Sequence, residues 1–348
     1  MKFTDLKYLA AFIIPGLVYL GINSGGFLSY SAVVFAFRVV PILEPLFSSS
    51  EENLNDIEKQ RKLSVIFFDL LLYLNLPLNF FLIYLTAYTN NNQALNNFEI
   101  IGLTLSLGTL LGSCGINVAH ELGHKQNFLA QICSVILLTP SFYNHFIIEH
   151  NKGHHKYVAT PGDPATAKLR ESIYRFWIRS VVGTYLNAWK IEFKRMEKNK
   201  RPKFYYKNLM ILFFIMNVIY VMSTLYFFGT FTAGVLIAAG TISFLFLETI
   251  NYVEHYGLKT DLLANGRYER VMPKHSWNSN HYLGRIILYE LTRHSDHHYL
   301  ANKKYQILDH HESSPQLPYG YPSSMLLSLI PPLWFKIMDK RLKSFATV

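Results

Sequence analysis

The segment HELGHK, His120 to Lys125, sets two histidines four residues apart with a glutamate between them. On a helix, residues at that spacing share a face, so both imidazoles aim at one point beside a carboxylate. A zinc protease uses the same arrangement, with one further ligand and the glutamate as general base. The remaining histidines decide between that reading and another.

Of the fourteen histidines, nine fall in four tight clusters. These are HELGH (His120, His124), EHNKGHH (His150, His154, His155), NYVEHYG (His255) and RHSDHH (His294, His297, His298). A hydrogen-bonded polar role is ordinary for any single histidine, but it does not account for nine in these spacings. Helical geometry predicts that His150 pairs with His154, and His294 with both His297 and His298, on shared faces. The adjacent pairs, His154 with His155 and His297 with His298, point about 100° apart and so can serve two neighbouring metals. Nine neutral nitrogens exceed the four ligands of a tetrahedral zinc, and they give two metals four or five each. A zinc protease has no use for HNKGHH and HSDHH. Glu121, Glu149, Glu254 and Asp296 each stand beside a candidate ligand, where a carboxylate accepts an imidazole N–H and fixes the ring. Pairing with a nearby Lys or Arg is the alternative for each. The other five, His145, His275, His281, His310 and His311, lie outside these spacings and read as structural or surface residues, with His275 in HSWNSN the one nearest to a motif context.

The rest of the chain says where such a site stands. Half of the 348 residues are hydrophobic, 15% are aromatic and 16% are charged, a membrane composition with a sizeable polar part. Apolar stretches of spanning length run from roughly 5 to 23, 28 to 46, 64 to 88, 98 to 119, 206 to 228 and 231 to 251. The second and third carry Arg38 and Asp69. The first follows lysines without a small-residue cleavage pattern and reads as a retained span. The short links near 24–27, 89–97 and 229–230 carry no charge, whereas the N-terminus, SSSEENLNDIEKQRK, the stretch after His120 and the C-terminal third hold the Lys and Arg. The positive-inside rule then puts both termini and both long segments in the cytoplasm.

The expected fold is an all-α membrane protein: one domain over residues 1–348, six transmembrane helices, and a cytoplasmic histidine-rich helical cap built from lobes 120–205 and 252–348. LAQICSVILLTPSFY and MLLSLIPPLWFKIM are short or proline-broken and read as buried or interfacial. The net charge of +10 fits orientation and anionic headgroups. No basic run interleaved with aromatics points to nucleic acid. Two cysteines, Cys114 and Cys133, are too few for an iron–sulfur cluster or a disulfide framework, so electron chemistry needs an outside donor. Imidazole suits zinc, copper, iron and nickel alike. Two imidazole-rich centres at a membrane face, open toward hydrocarbon, point to redox iron activating O2 against an apolar substrate.

HELGHK, EHNKGHHKYVATPGDPA, NYVEHYGL, HSWNSN, LTRHSDHHYLANKKYQIL and PPLWFKIMD, in that order from about His120 to Asp339, resemble the membrane-bound alkane 1-monooxygenases. The boxes HxxxH, HxxxHH and HxxHH are shared with membrane fatty acid desaturases and hydroxylases, while NYVEHYG and the extended RHSDHH context favour the alkane branch. The resemblance implies two iron ions, a non-haem di-iron centre, held by His120, His124, His150, His154, His155, His255, His294, His297 and His298. It also implies insertion of one oxygen atom of O2 at the terminal methyl of an n-alkane taken from the lipid phase. Electrons would come from a separate rubredoxin, reduced by rubredoxin reductase and NAD(P)H, in a bacterial inner membrane. The basic stretches WKIEFKRMEKNKRPK, ANKKYQ and FKIMDKRLK would steer an acidic rubredoxin or meet lipid headgroups. The competing readings are a xylene-type aryl-methyl monooxygenase, an acyl-chain desaturase or hydroxylase and, from another class, a membrane metal transporter. A transporter would place its polar ligands along a path within the spans.

Overall fold

Strings of Leu, Ile, Phe and Val without charges leave a chain no option in lipid but to satisfy every backbone group internally, which means helix. The computed structural model, which describes residues 1–47 and 49–346, is all-helical in that sense, and Ser48, Thr347 and Val348 lie outside the described residues. Five helices among the described residues are long and apolar enough to cross a membrane: Phe3–Ser24, Gly26–Leu46, Phe67–Asn92, Asn97–Gly123 and Leu209–His255. The last runs 47 residues, about 70 Å if straight, against a hydrocarbon core of about 30 Å. It is not one continuous helix. Gly229 leaves helical geometry at φ 78°, ψ 176°, a positive φ that glycine adopts at little cost, and divides the run into 209–228 and 230–255. The apolar segment after HELGHK forms a shorter helix, Phe128–Leu138, closed by a 3-10 turn over Thr139–Ser141.

The chain divides into two compact units. One comprises residues 1–39, 65–147 and 192–247 and holds most of the apolar helical length. Its helices approach closely where side chains are small. A Cβ at Gly102 would collide with Ser29 and Tyr30, and one at Gly108 would meet Ile242 at 2.6 Å, as expected where van der Waals packing drives association. Polar groups inside it find local partners. Ser106 Oγ donates to the Ser29 carbonyl at 2.7 Å. Asn79 Nδ2 reaches the Cys114 carbonyl at 3.1 Å, within the π-helical stretch Leu111–Ile116. Asp69, a charge inside an apolar helix, pairs with Lys125 at 2.6 Å.

The second unit comprises residues 40–64, 148–191 and 248–348. Its core is aromatic: Phe176, Tyr252, Tyr256, Trp277, Tyr321 and Trp334 pack with Met338 and smaller apolar residues. Full burial of a Phe or Met side chain stabilises by about 1.5–3 kcal/mol. Two of the core's polar tips donate to backbone: the Tyr252 hydroxyl to the Glu171 carbonyl at 2.6 Å, and Trp277 Nε1 to the Tyr256 carbonyl at 2.9 Å. Arg293, 2% exposed, ties residues 50–53 to the segment at Leu308. Its guanidinium donates to the carbonyls of Ser50, Glu52 and Leu308 at 3.2, 2.9 and 2.7 Å.

Candidate metal centre

Helix ends and a π-turn position the histidines. His154 closes the π-helical turn His150–His154, His255 ends the helix Leu209–His255, and His294 and His298 lie one turn apart on the short helix His294–Tyr299. One ring nitrogen from each of these four lies within 4.8 Å of the others, and all four residues are buried. A tetrahedral ion holding nitrogen at about 2.0–2.1 Å would space its ligands about 3.4 Å apart, so the quartet suits a single ion. A second group gathers beside it in the same unit. Nitrogens of His150, His155 and His297 also lie within 4.8 Å of one another, and Nε2 of His150 and Nε2 of His155 are 2.9 Å apart. In the apolar-helix unit, His120 and His124 bring their Nε2 atoms to 3.2 Å.

This grouping corrects two expectations, the pairing of His150 with His154 and that of His294 with His297. Spacing of four along an α-helix pairs His150 with His154. The observed turn is π, with a repeat of five, and it brings His155 beside His150 while His154 joins the quartet. On His294–Tyr299 the α-spacing puts His294 with His298 in the quartet and sends His297 to the other group.

Both ring nitrogens of His298 and Nε2 of His154 are buried without a hydrogen-bond partner among the described residues. Such atoms are costly to bury, and a metal ion would satisfy them. Burial, reinforced by the neighbouring imidazoles His294, His155, His154 and His255, holds His298 well below its ordinary value, which keeps it in the neutral form that metals bind. The residues therefore fit a metal.

Carboxylates orient some of the rings. Asp163 Oδ2 lies 2.8 Å from His154 Nδ1 with both side chains buried, and it also accepts from Thr166 Oγ1 at 2.6 Å. Burial pushes the Asp163 carboxyl up, but the His154 charge and the two hydrogen bonds outweigh it and leave it below its ordinary value. Burial pulls His154 down, and Asp163, followed by Glu149 and Glu248, outweighs it and leaves the ring above its ordinary value. Glu254 stands between Tyr321, whose hydroxyl donates at 2.6 Å, and Nε2 of His294 at 3.0 Å.

The other three carboxylates read from the sequence are placed differently. Asp296 faces Nε2 of His311 at 2.7 Å and Lys303 at 2.6 Å. Glu149 accepts from Asn187 Nδ2 at 3.0 Å, and burial, then Asp163, raises it to about 8. Glu121 is buried. Asp163, in ATPGDPA, and Tyr321 escaped the sequence reading. Asp163 lies eight residues beyond His155, and a lone acid in a Gly-Pro turn reads as turn chemistry.

Four of the five remaining histidines have other occupations. His275 joins Glu269 at 3.1 Å and the Met272 N–H at 3.0 Å. His281 meets Ser279 at 2.9 Å, and His310 meets Asn280 at 3.0 Å. His311 is the partner of Asp296 already described. His145 meets Tyr143 edge to face, ring centroids 4.3 Å apart.

Long apolar helices together with buried histidine clusters that could hold metal define a helical protein of membrane type. The fatty acid desaturase family profile matches residues 97–325. Alkane 1-monooxygenase of Pseudomonas putida is 35% identical over 335 residues, covering 94% of this chain and 82% of that protein. The Acinetobacter baylyi alkane 1-monooxygenase is 38% identical over 304 residues, covering 87% and 74%. Alkane 1-monooxygenase 2 of Pseudomonas aeruginosa is 40% identical over 245 residues, 70% of this chain and 65% of that protein. The chain belongs to the alkane 1-monooxygenase family, within the wider fatty acid desaturase family.

Proposed function

We propose that this protein hydroxylates the terminal methyl of n-alkanes to 1-alkanols with O2, using two iron ions and electrons from rubredoxin. The observation that carries the reading is the buried quartet His154, His255, His294 and His298 in a chain 35–40% identical to three alkane 1-monooxygenases. His150, His155 and His297 would hold the second ion, and His120 and His124 are proposed as further metal ligands. Bound iron would supply the activation of O2. The protein binds, orients and excludes water. An alkane has no polar handle, so binding comes from burying methylenes at about 0.8 kcal/mol each. Confinement in a channel among apolar helices, rather than intrinsic C–H strength, would then select the terminal carbon. Asp163 and Glu254 fix the rings of His154 and His294, and Glu121, Glu149 and Asp296 are proposed to support the same shell. The break at Gly229 supports six spans, and the charge distribution supports an inner-membrane protein with both termini in the cytoplasm.

The test is metal analysis of the purified protein together with product analysis on octane, supplying O2 and reduced rubredoxin. Two irons per chain and 1-octanol are expected. One zinc, or octanol at internal positions, overturns the reading. The xylene/toluene monooxygenase hydroxylase component of Pseudomonas putida is 29% identical over 342 residues, so p-xylene belongs in the same assay, and its exclusive turnover would replace the alkane assignment.

A further inference from the structure

A recess of about 450 Å³ opens in the polar unit, and it reaches the metal-binding quartet through one side chain. Its walls come from the segments 159–169 and 257–260, with Tyr268, and the two segments are joined by backbone. Gly257 N donates to the Ala167 carbonyl at 3.1 Å and Thr260 N to the Ala159 carbonyl at 2.9 Å. Thr260 Oγ1 donates to the Val158 carbonyl at 3.0 Å. The recess is therefore formed in advance of any ligand. One wall is Asp163, whose carboxylate is bonded to Nδ1 of His154, so a hydrogen bond and an imidazole ring connect this surface to the quartet. Lys168 and Lys259 line it and are exposed. Leu169 and Tyr268, also lining, are 47% and 40% exposed. Apolar contacts with charged groups at the rim are the composition of a protein interface, and the rim charges set the association rate and its salt dependence.

We propose that this recess is the docking site of a small acidic one-electron carrier protein, steered by Lys168 and Lys259, with the Asp163–His154 bond as the electron's entry. The proposal rests on the monooxygenase reading above. That reaction balances as R–CH3 + O2 + 2 e⁻ + 2 H⁺ → R–CH2OH + H2O. Two carriers are each oxidised by one electron, and the protons come from solvent. The recess differs from the basic surface of the helix Pro331–Ala346, where Lys336, Lys340 and Lys343 line a separate hollow of about 500 Å³.

The experiment uses the full-length protein in nanodiscs, with reduced rubredoxin as the probe. It compares wild type, the Lys168→Glu/Lys259→Glu double variant, and Lys340→Glu/Lys343→Glu as an equal-charge control. The recess variant is expected to raise KM for rubredoxin, and its Kd in a binding titration, by about tenfold or more, with kcat at saturation within about twofold. The control variant should stay near wild type. Added salt should raise the wild-type KM and leave that of the recess variant nearly flat. Equal effects of the two variants, an unchanged Kd in the recess variant, or a loss confined to kcat overturns the docking site. If the wild type itself makes no alkanol with reduced rubredoxin, the functional reading fails instead.

Discussion

The two histidine groups of the polar unit differ in enclosure. His154, His255, His294 and His298 are all buried, and two of their rings are held by carboxylates, Asp163 and Glu254. In the group of His150, His155 and His297, His155 is only half-buried. The difference teaches a division of labour. A closed, carboxylate-backed set resembles a site built to retain its ion, while a set with a more accessible ring leaves room for exchange and for small molecules.

The largest expected effect comes from removing a ring from the closed group. His255→Ala should abolish hydroxylation and lower bound iron, with the protein still inserted in the membrane. Product analysis and metal content check both, and an active variant with full iron would break the distinction at its centre.

Asp163→Asn keeps the shape but removes the charge that holds His154. Loss of such a partner costs about 10- to 100-fold in metal affinity, measurable by competition with a chelator. An unchanged affinity would mean that the Asp163–His154 bond serves only the fold.

Chelation sharpens the comparison further. One metal equivalent is expected to leave before the other, and His155→Ala should speed the early phase alone. Release in a single phase would show that the two groups are equally enclosed.

The smallest effect lies away from both groups. Burial pushes the Glu171 carboxyl up, but hydrogen bonds from Arg179 and the Lys168 N–H, with the Arg179 charge, outweigh it and leave the group below 4.5. The folded value is thus below the unfolded one. The stabilisation is full above the unfolded value and fades as pH falls through the folded one. Arg179 is partly exposed, so Arg179→Gln should cost about 1 kcal/mol near neutrality and less in acid, read from thermal unfolding at several pH values. A cost that grew toward low pH would refute the assignment.

Much of this fold could be read along the chain. Apolar stretches near 5–23, 64–88 and 98–119 correspond to the helices Phe3–Ser24, Phe67–Asn92 and Asn97–Gly123, because in lipid composition alone forces helix. The stretch 28–46 is helical but irregular, a succession of 3-10, α and π turns containing Pro41 and Pro45, which a hydropathy profile cannot resolve. The pairing of His150 with His155 was not legible either. A π-turn and an α-turn share one sequence pattern, and the choice between them depends on what packs around the turn.

The sequence by itself determined the inventory: nine histidines in four clusters, the long apolar stretches, and the split of charge between short and long connections. These follow from residue type and local spacing, on which hydropathy and helical periodicity act directly. Only the tertiary structure decided which rings share a nitrogen cluster, that Asp163 rather than a carboxylate within a histidine box holds His154, and that Tyr321 reaches Glu254. The quartet and the Tyr321–Glu254 bond join segments far apart in the chain, and Asp163 reaches His154 across a nine-residue turn whose shape no helical or hydropathy period encodes.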